Sequence, residues 1–288
     1  MFEPCTTHQP AGSPAGVSRH MPGRSMVERA RELIKPYLDM NGVIGIYVVG
    51  SATRPHRDEY SDYDIEVIVE DDVYERLPDD ERQVFFFKER ESEDAPRIVD
   101  YEFYLIPWSD FSGLTESTHD LFHYPYQHAA ILYDPQGRLA PVIERLAELP
   151  DDVRRERMTI HYLEFLYRLG RARKTGFRGG PALNLTLLSA DAVRSLVKLL
   201  FLVKGSWPAT AHWSDQELRL LGIPDRLLEL ASTLGVGVDP ETTKELVDAV
   251  RAFLDEHGET FHHEMDAIQP WLFFSKEGKR AFERWGIR

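Results

Sequence analysis

The sequence predicts an α+β fold, with a mixed β-sheet and its helices in the first half and a bundle of helices in the second. Before residue 150, short apolar segments rich in β-branched and aromatic residues recur, which is typical of strands. After residue 150, apolar residues instead follow the three- and four-residue spacing of buried helix faces. We therefore predict a disordered tail over residues 1–24, an α/β domain over 25–150 and a helical domain over 151–288.

Composition limits the class of protein. The chain has 288 residues, which is enough for two domains that each bury a core. Its net charge of −14 argues against a general nucleic-acid binder, because affinity for phosphate backbones comes mainly from Lys and Arg. The same charge favours cationic ligands. The single cysteine, Cys5, cannot form an internal disulfide and suits a reducing cytoplasm, and we expect neither a signal peptide nor a membrane partner.

Local patterns place the individual elements. Ser25 and Glu28 form a capping box that begins a helix, and Pro36 should end or kink it. A charged stretch over 71–90 is predicted to be helical, and His119 and His123 have the i, i+4 spacing of a helical zinc site that lacks a clear third ligand. We predict strands over 43–49, 61–69, 97–106 and 129–133, and helices over 152–173, 182–204, 218–234 and 242–257.

The most informative stretch joins the first two predicted strands. Gly50 directly follows an apolar strand, so the backbone can turn sharply there, and its amides together with the Ser51 hydroxyl can hold a phosphate. The second strand begins with Asp62 and Asp64, which share one face because side chains alternate along a strand, with their Cβ atoms roughly 6–7 Å apart. Two adjacent carboxylates suit a hard cation such as Mg²⁺.

A third strand repeats the acidic alternation. Asp100 and Glu102 share one face of the predicted strand over 97–106. Each pattern also has a structural explanation, since Gly-Ser is common in turns and a half-exposed edge strand carries polar residues outward. The combination of the Gly-Ser turn with acidic alternation on successive strands favours a functional site over a chance occurrence.

These motifs resemble those of the DNA polymerase β-like nucleotidyltransferase superfamily. The pattern comprises Gly50-Ser51, then Ser61-Asp62-Tyr63-Asp64, then Val99-Asp100-Tyr101, and it is most similar to the kanamycin-type aminoglycoside nucleotidyltransferases. The resemblance implies two Mg²⁺ ions held by Asp62, Asp64 and Asp100, with Gly50 and Ser51 against the nucleotide. It also implies transfer of a nucleoside monophosphate, AMP if the co-substrate is ATP, to a hydroxyl of a small acceptor such as an aminoglycoside-like antibiotic.

The helical half resembles the second domain of the same enzymes at fewer positions. There, an acidic general base precedes a Gly-basic pair that contacts the triphosphate, and Gly170-Arg171 matches that pair. Tyr167 stands at the position of the base, so the nearest acid is Glu164, one turn earlier. Glu164 also has a structural explanation as an i, i+4 partner of Arg168. The candidates for the general base are therefore Asp100 and Glu164, with Glu102 as a third alternative.

A second class of function shares the same motifs. The chain could be an antitoxin-like or protein-modifying nucleotidyltransferase, or a nucleotide-binding regulatory module. A small-molecule enzyme needs a cleft lined by acids and aromatics, and Trp207, His212 and Trp213 could supply the aromatics, although core packing explains tryptophans equally well. The acceptor, the nucleotide base and the oligomeric state stay open, with a homodimer as one option.

Overall fold

The computed structural model describes residues 26–57, 61–79, 82, 85–90, 98–236 and 239–286. It confirms the α+β class, with a small mixed sheet in the first half and helices in the second. The predicted tail, residues 1–24, lies outside the described residues. Within the described part of the chain, no helix has both the length and the apolar character needed to cross a membrane.

The described residues of the first half form five strands and five short α-helices. Apolar β-branched and aromatic residues account for the strands, because such side chains pack well on a half-buried pleated surface. In chain order, the elements are α1 (Met26–Leu33), α2 (Lys35–Leu38), β1 (Val43–Val49), β2 (Tyr63–Val69), α3 (Asp71–Arg76), β3 (Phe85–Arg90), β4 (Ile98–Pro107), α4 (Trp108–Gly113), β5 (Ala130–Tyr133) and α5 (Leu139–Ala147).

The strands form one sheet in the order β3-β4-β2-β1-β5. Strands β2 and β4 are parallel, whereas the other neighbouring pairs are antiparallel. One face buries a core that includes Ile46, Ile65 and Phe103. The opposite face packs around Val49 and Ile68, with Phe111 of α4 among the neighbours. The polar residues of β2 lie on this second face, because they alternate with the residues of the first core.

The second half is helical throughout its described residues. Its two longest helices, α6 and α7, bury apolar residues against each other and against α9 and α10. The last two helices cover another side of α6, where Trp285 and Leu272 pack on Ile160. The helices are α6 (Asp151–Phe177), α7 (Ala182–Val203), α8 (Ser214–Leu220), α9 (Asp225–Val236), α10 (Pro240–Glu256), α11 (Met265–Phe274) and α12 (Lys276–Trp285).

Two predictions of local structure were wrong. The helix predicted over 71–90 ends at Arg76, and residues 85–90 form β3, which pairs with β4. His119 and His123 flank the 3₁₀ turn Asp120–Phe122 as its N-cap and C-cap, so their i, i+4 spacing does not place them on one α-helix. The helix predicted over 218–234 is divided into α8 and α9, because Gly222 adopts a φ of 74° and Pro224 cannot continue a helix.

Candidate active site

Gly50 forms the sharp turn at the end of β1. Its φ of 77° lies in the left-handed region, which favours glycine. A Cβ atom at this position would lie 2.1 Å from Oδ2 of Asp64, so any side chain would collide with that carboxylate. Ser51 then opens a 3₁₀ turn, Ser51–Thr53, which the Thr53 hydroxyl fastens by donating to the Gly50 carbonyl over 2.9 Å. The turn therefore brings the backbone directly against Asp64.

The parallel pairing of β2 and β4 gathers carboxylates on one face of the sheet. Asp64 is in register with Glu102, and Asp62 precedes β2 by one residue. Glu102 accepts a hydrogen bond from the Tyr104 hydroxyl, two residues further along β4. Because alternate residues share a face, Asp62 and Asp64 lie on the same side, and both line one cavity. Neighbouring strands thus bring acids from distant parts of the sequence together.

This face of the sheet carries an excess of negative charge. Burial, together with the nearby carboxylates of Glu102 and Asp62, raises the pKa of Asp64 to about 6. Like charges this close disfavour simultaneous ionisation. Such a carboxylate gains strongly from a bound cation, because a cation removes both the repulsion and part of the desolvation cost.

Glu66 is a further acid of this site that the sequence analysis did not single out. Burial raises its pKa to about 7, although the Tyr47 and Tyr126 hydroxyls donate hydrogen bonds to its carboxylate and act in the opposite direction. The signal was present in the sequence, because Asp62, Asp64 and Glu66 continue one alternation along β2.

These residues line a cavity of about 710 Å³, which we call the carboxylate cavity. Gly50, Ser51, Asp62, Asp64 and Glu66 form its acidic side. Its remaining wall is largely aromatic and draws on both halves of the chain, including Phe122, Tyr124, Tyr126, His212 and Trp213. Among the described residues that line it there is no Lys or Arg. The cavity is therefore acidic, aromatic and of a size that holds small molecules.

A buried cluster joins the turn after β1 to the helical half. Arg54 donates to the carbonyl of Tyr124, and its guanidinium lies 3.9 Å from the centre of the Tyr124 ring. Its Nη1 is 3.2 Å from Oε1 of Glu217 on α8, which also accepts a 2.7 Å hydrogen bond from the Tyr124 hydroxyl. His56 extends the junction by packing against Trp213 in a tilted arrangement, with ring centres 4.6 Å apart. These contacts hold the aromatic wall against the acidic side.

The two predicted site residues of α6 lie elsewhere. Glu164 is buried, with its Oε2 3.7 Å from His161 Nδ1 and its Oε1 3.9 Å from Arg168 Nη2. Arg171 is exposed and donates to the Tyr167 hydroxyl over 2.8 Å. Neither residue lines the carboxylate cavity. Their neighbours match the structural explanations more closely than a shared site with Asp62 and Asp64.

The other predicted residues are divided between site and core. Asp100 belongs to β4, two residues before Glu102, but its side chain lies outside the described part of the structure. Trp207 is buried, stacks on His123 at 3.9 Å and donates to the Glu148 carbonyl, so it belongs to the core. His123 itself contacts the carbonyls of Leu146 and Ser117, which explains its burial without a metal.

Two family models match parts of this chain. Residues 30–118 match the family model described as a nucleotidyltransferase domain, and residues 114–214 match a domain of unknown function, DUF4037. No curated protein matches the chain. A solved structure of a nucleotidyltransferase-like protein from Exiguobacterium sibiricum 255-15 is similar at 16% identity and a TM-score of 0.41, over 89% of this chain and 78% of that chain.

The first match covers β1, β2 and β4, and so every strand residue of the carboxylate cavity. The second match crosses residue 150, where we predict the domain boundary, so that boundary stays a prediction. The family match thus supports the broader assignment, which is that residues 30–118 are similar to nucleotidyltransferase domains.

Proposed function

We propose that the protein is a Mg²⁺-dependent nucleotidyltransferase that moves a nucleoside monophosphate, AMP when ATP is the donor, to a hydroxyl of a small cationic acceptor. The observation that carries the proposal is the group of acids around Asp64, whose pKa is raised to about 6, beside a glycine turn with no room for a Cβ atom. Acids for a metal and a turn for a phosphate are the two parts that this chemistry needs.

The side chains on this face fit a hard divalent cation. Asp62 and Asp64 offer oxygen ligands on one side of the cavity, and Mg²⁺ is usually bound by one or two carboxylates together with water and phosphate oxygens. Asp62 and Asp64, with Asp100 on the neighbouring strand, are the proposed ligands. When bound, the metal would neutralise charge on the triphosphate and on the pyrophosphate leaving group. Gly50 and Ser51 would hold the phosphates from the turn.

The cavity wall suggests the class of acceptor. Its acids are not balanced by Lys or Arg among the described lining residues, and its other side presents aromatic rings. Ammonium groups are attracted both to carboxylates and to the faces of aromatic rings. An amino sugar or an aminoglycoside-like antibiotic combines ammonium groups with hydroxyls, and we propose that class as the acceptor.

The proposed reaction needs a general base that takes the proton of the acceptor hydroxyl. An acceptor oxygen would attack the α-phosphorus as the bond to the β-phosphate oxygen breaks, and a carboxylate would take the hydroxyl proton. We propose Asp100, because it lies on β4 two residues before Glu102 in the strand that pairs with β2. Glu164 is the competing candidate, but it does not line the cavity.

Two substitutions separate these candidates. Asp100→Asn should lower kcat by roughly 10²–10⁴-fold, the usual contribution of a general base, and should also weaken Mg²⁺ binding, so that more Mg²⁺ is needed for half-maximal turnover. Glu164→Gln should leave kcat within a few fold of wild type. Steady-state kinetics with a Mg²⁺ titration measure both effects. A large loss of kcat in Glu164→Gln with unchanged Mg²⁺ dependence would transfer the role to Glu164.

The function itself is tested by pyrophosphate release. The full chain is incubated with each nucleoside triphosphate and Mg²⁺, alone and with a panel of aminoglycosides, amino sugars and neutral alcohols. We expect release that depends on Mg²⁺ and is fastest with a cationic acceptor. A mass increase of the acceptor equal to one nucleoside monophosphate identifies the product. Binding of the triphosphate without release for any acceptor would instead favour a regulatory module.

A further inference from the structure

A second cavity, of about 540 Å³, lies on the other side of the 3₁₀ turn Asp120–Phe122. His119 and Asp120 line this second cavity, whereas Leu121 and Phe122 line the carboxylate cavity. Its remaining walls come from α6, α7 and α12. The proposed nucleotidyl transfer does not use this cavity.

The second cavity is basic in a protein with a net charge of −14. Arg157 of α6, Arg194 and Lys198 of α7, and Arg284 of α12 all line it. The acids among its described lining residues are Asp120 and Glu283, so the formal charge of these lining residues is four minus two, or +2, with histidine counted as neutral. An excess of positive charge in a concave site concentrates anions.

Arg157 is the buried centre of this cluster. It is 2% exposed and donates through Nη2 to Asp120 Oδ1. Its other guanidinium nitrogens, Nε and Nη1, have no hydrogen-bond partner among the described residues. The Trp207 and Trp285 rings flank the guanidinium, with centres 5.3 Å and 4.9 Å away. The rings fix the cation in place, so its position does not depend on a ligand.

Asp120 cannot balance the cations around it. Lys198 Nζ donates to its Oδ2 over 2.8 Å, so one carboxylate serves both Lys198 and Arg157. These two cations outweigh the effect of burial and lower the pKa of Asp120. Arg194 and Arg284 add two exposed cations at the edge. A ligand with two or more negative charges would complete the neutralisation.

We propose that the second cavity is an anion site for a small phosphate-bearing molecule. Arg194 and Arg284 would contact the phosphate through charge-assisted hydrogen bonds. Lys198 and the fixed Arg157 would add to the positive electrostatic potential of the cavity. The turn Asp120–Phe122 separates this ligand from the carboxylate cavity. The site is independent of the proposed reaction.

The test is isothermal titration of the full chain with sodium pyrophosphate in EDTA. Without a divalent cation, the carboxylate cavity repels a polyanion, so the titration reports on the second cavity. We expect binding at one site. Because a hydrogen bond to a charged group contributes about 1.5–3 kcal/mol and 1.4 kcal/mol is a factor of ten, removal of both exposed arginines in Arg194→Ala/Arg284→Ala should weaken binding by about 10²-fold or more.

The matched control is Lys279→Ala/Arg280→Ala, which removes the same charge from exposed positions of α12 outside the cavity. It should bind like wild type. No binding by wild type at millimolar pyrophosphate, or equal weakening in both variants, would overturn the proposal. AMP is titrated in parallel. Tighter binding of AMP than of pyrophosphate, lost in Arg194→Ala/Arg284→Ala, would identify a nucleotide as the ligand, whereas the reverse order would identify a simple phosphate.

Discussion

Asp64 and Asp120 are both half-buried carboxylates near the junction of the two halves, yet their surroundings are opposite. Asp64 lies among other acids, and burial together with Glu102 and Asp62 raises its pKa to about 6. At Asp120, Arg157 and Lys198 outweigh burial and lower the pKa. Asp64 is therefore surrounded by like charges, whereas Asp120 is paired with two cations.

This difference distinguishes the functional role that we propose for Asp64 from the structural role of Asp120. A carboxylate between two fixed cations is part of the fold, because removal of either sign leaves a buried charge alone. A carboxylate among other carboxylates lowers stability, and such a cost is typical of positions retained for function. The comparison therefore supports the proposal that the chemistry takes place at Asp64, and it assigns Asp120 to the junction.

The largest expected effect is on turnover in Asp64→Asn. Loss of a metal-binding oxygen should reduce Mg²⁺-dependent pyrophosphate release on the order of 10³-fold, by analogy with removal of one group that stabilises charge in a transition state. The melting temperature should not fall, because the variant removes a repulsive charge. Asp72→Asn, on the exposed helix α3, is the control. Near-normal turnover in Asp64→Asn would refute the assignment of the site.

Asp120→Asn should do the opposite. It leaves the buried Arg157 and its neighbour Lys198 without a counter-charge, and breaking such a pair costs about 3 kcal/mol of stability or more. Chemical denaturation measures the free energy of unfolding. The Mg²⁺ dependence of turnover should stay unchanged in protein that is folded. A change in Mg²⁺ dependence without a loss of stability would contradict the division between the two carboxylates.

Gly50→Ala tests whether the turn and Asp64 form one unit. The new Cβ would lie 2.1 Å from Asp64 Oδ2, so either the turn or the carboxylate must move. We expect turnover to fall on the order of 10²-fold, since displacement of about 1 Å at a reacting centre has that effect. Gly137→Ala is a matched control, because φ is 67° there and nothing lies within 4 Å of an added Cβ. Similar losses of turnover in both variants would point to general backbone strain.

The sheet residues of the site could be predicted because strand alternation is a strong local rule. The positions of β1, β2 and β4 follow from their apolar residues, and period two alone puts Asp62 and Asp64 on one face. Pairing of β2 with β4, and hence the approach of Glu102 to Asp64, depends on long-range topology that no local pattern encodes.

The helical half was harder for a related reason. A helix face is shared among several neighbours, so Glu164 on α6 could not be assigned to a cavity, to His161 or to Arg168 from spacing alone. The second cavity was missed for the same reason. Arg157, Lys198 and Asp120 are far apart in the chain, and only packing of α6 and α7 against the turn Asp120–Phe122 unites them.

The smallest expected effect concerns Glu66, the acid held by two tyrosines. Its folded-state pKa of about 7 exceeds the ordinary glutamate value, so the folded protein binds a proton that the unfolded chain has lost. Stability from this group is therefore present at low pH and declines as the pH rises toward and through 7.

In Glu66→Gln this decline should disappear, although the new amide N–H₂ adds a buried donor whose cost does not depend on pH. The difference in unfolding free energy between variant and wild type should shift in favour of the variant by at least about 1 kcal/mol from pH 5 to pH 8, since one pKa unit corresponds to about 1.4 kcal/mol. Denaturant titrations at both pH values measure this shift, with Glu256→Gln at an exposed position of α10 as the control. A difference that stays constant with pH would mean that Glu66 ionises normally and that the acidic face extends no further than Asp64.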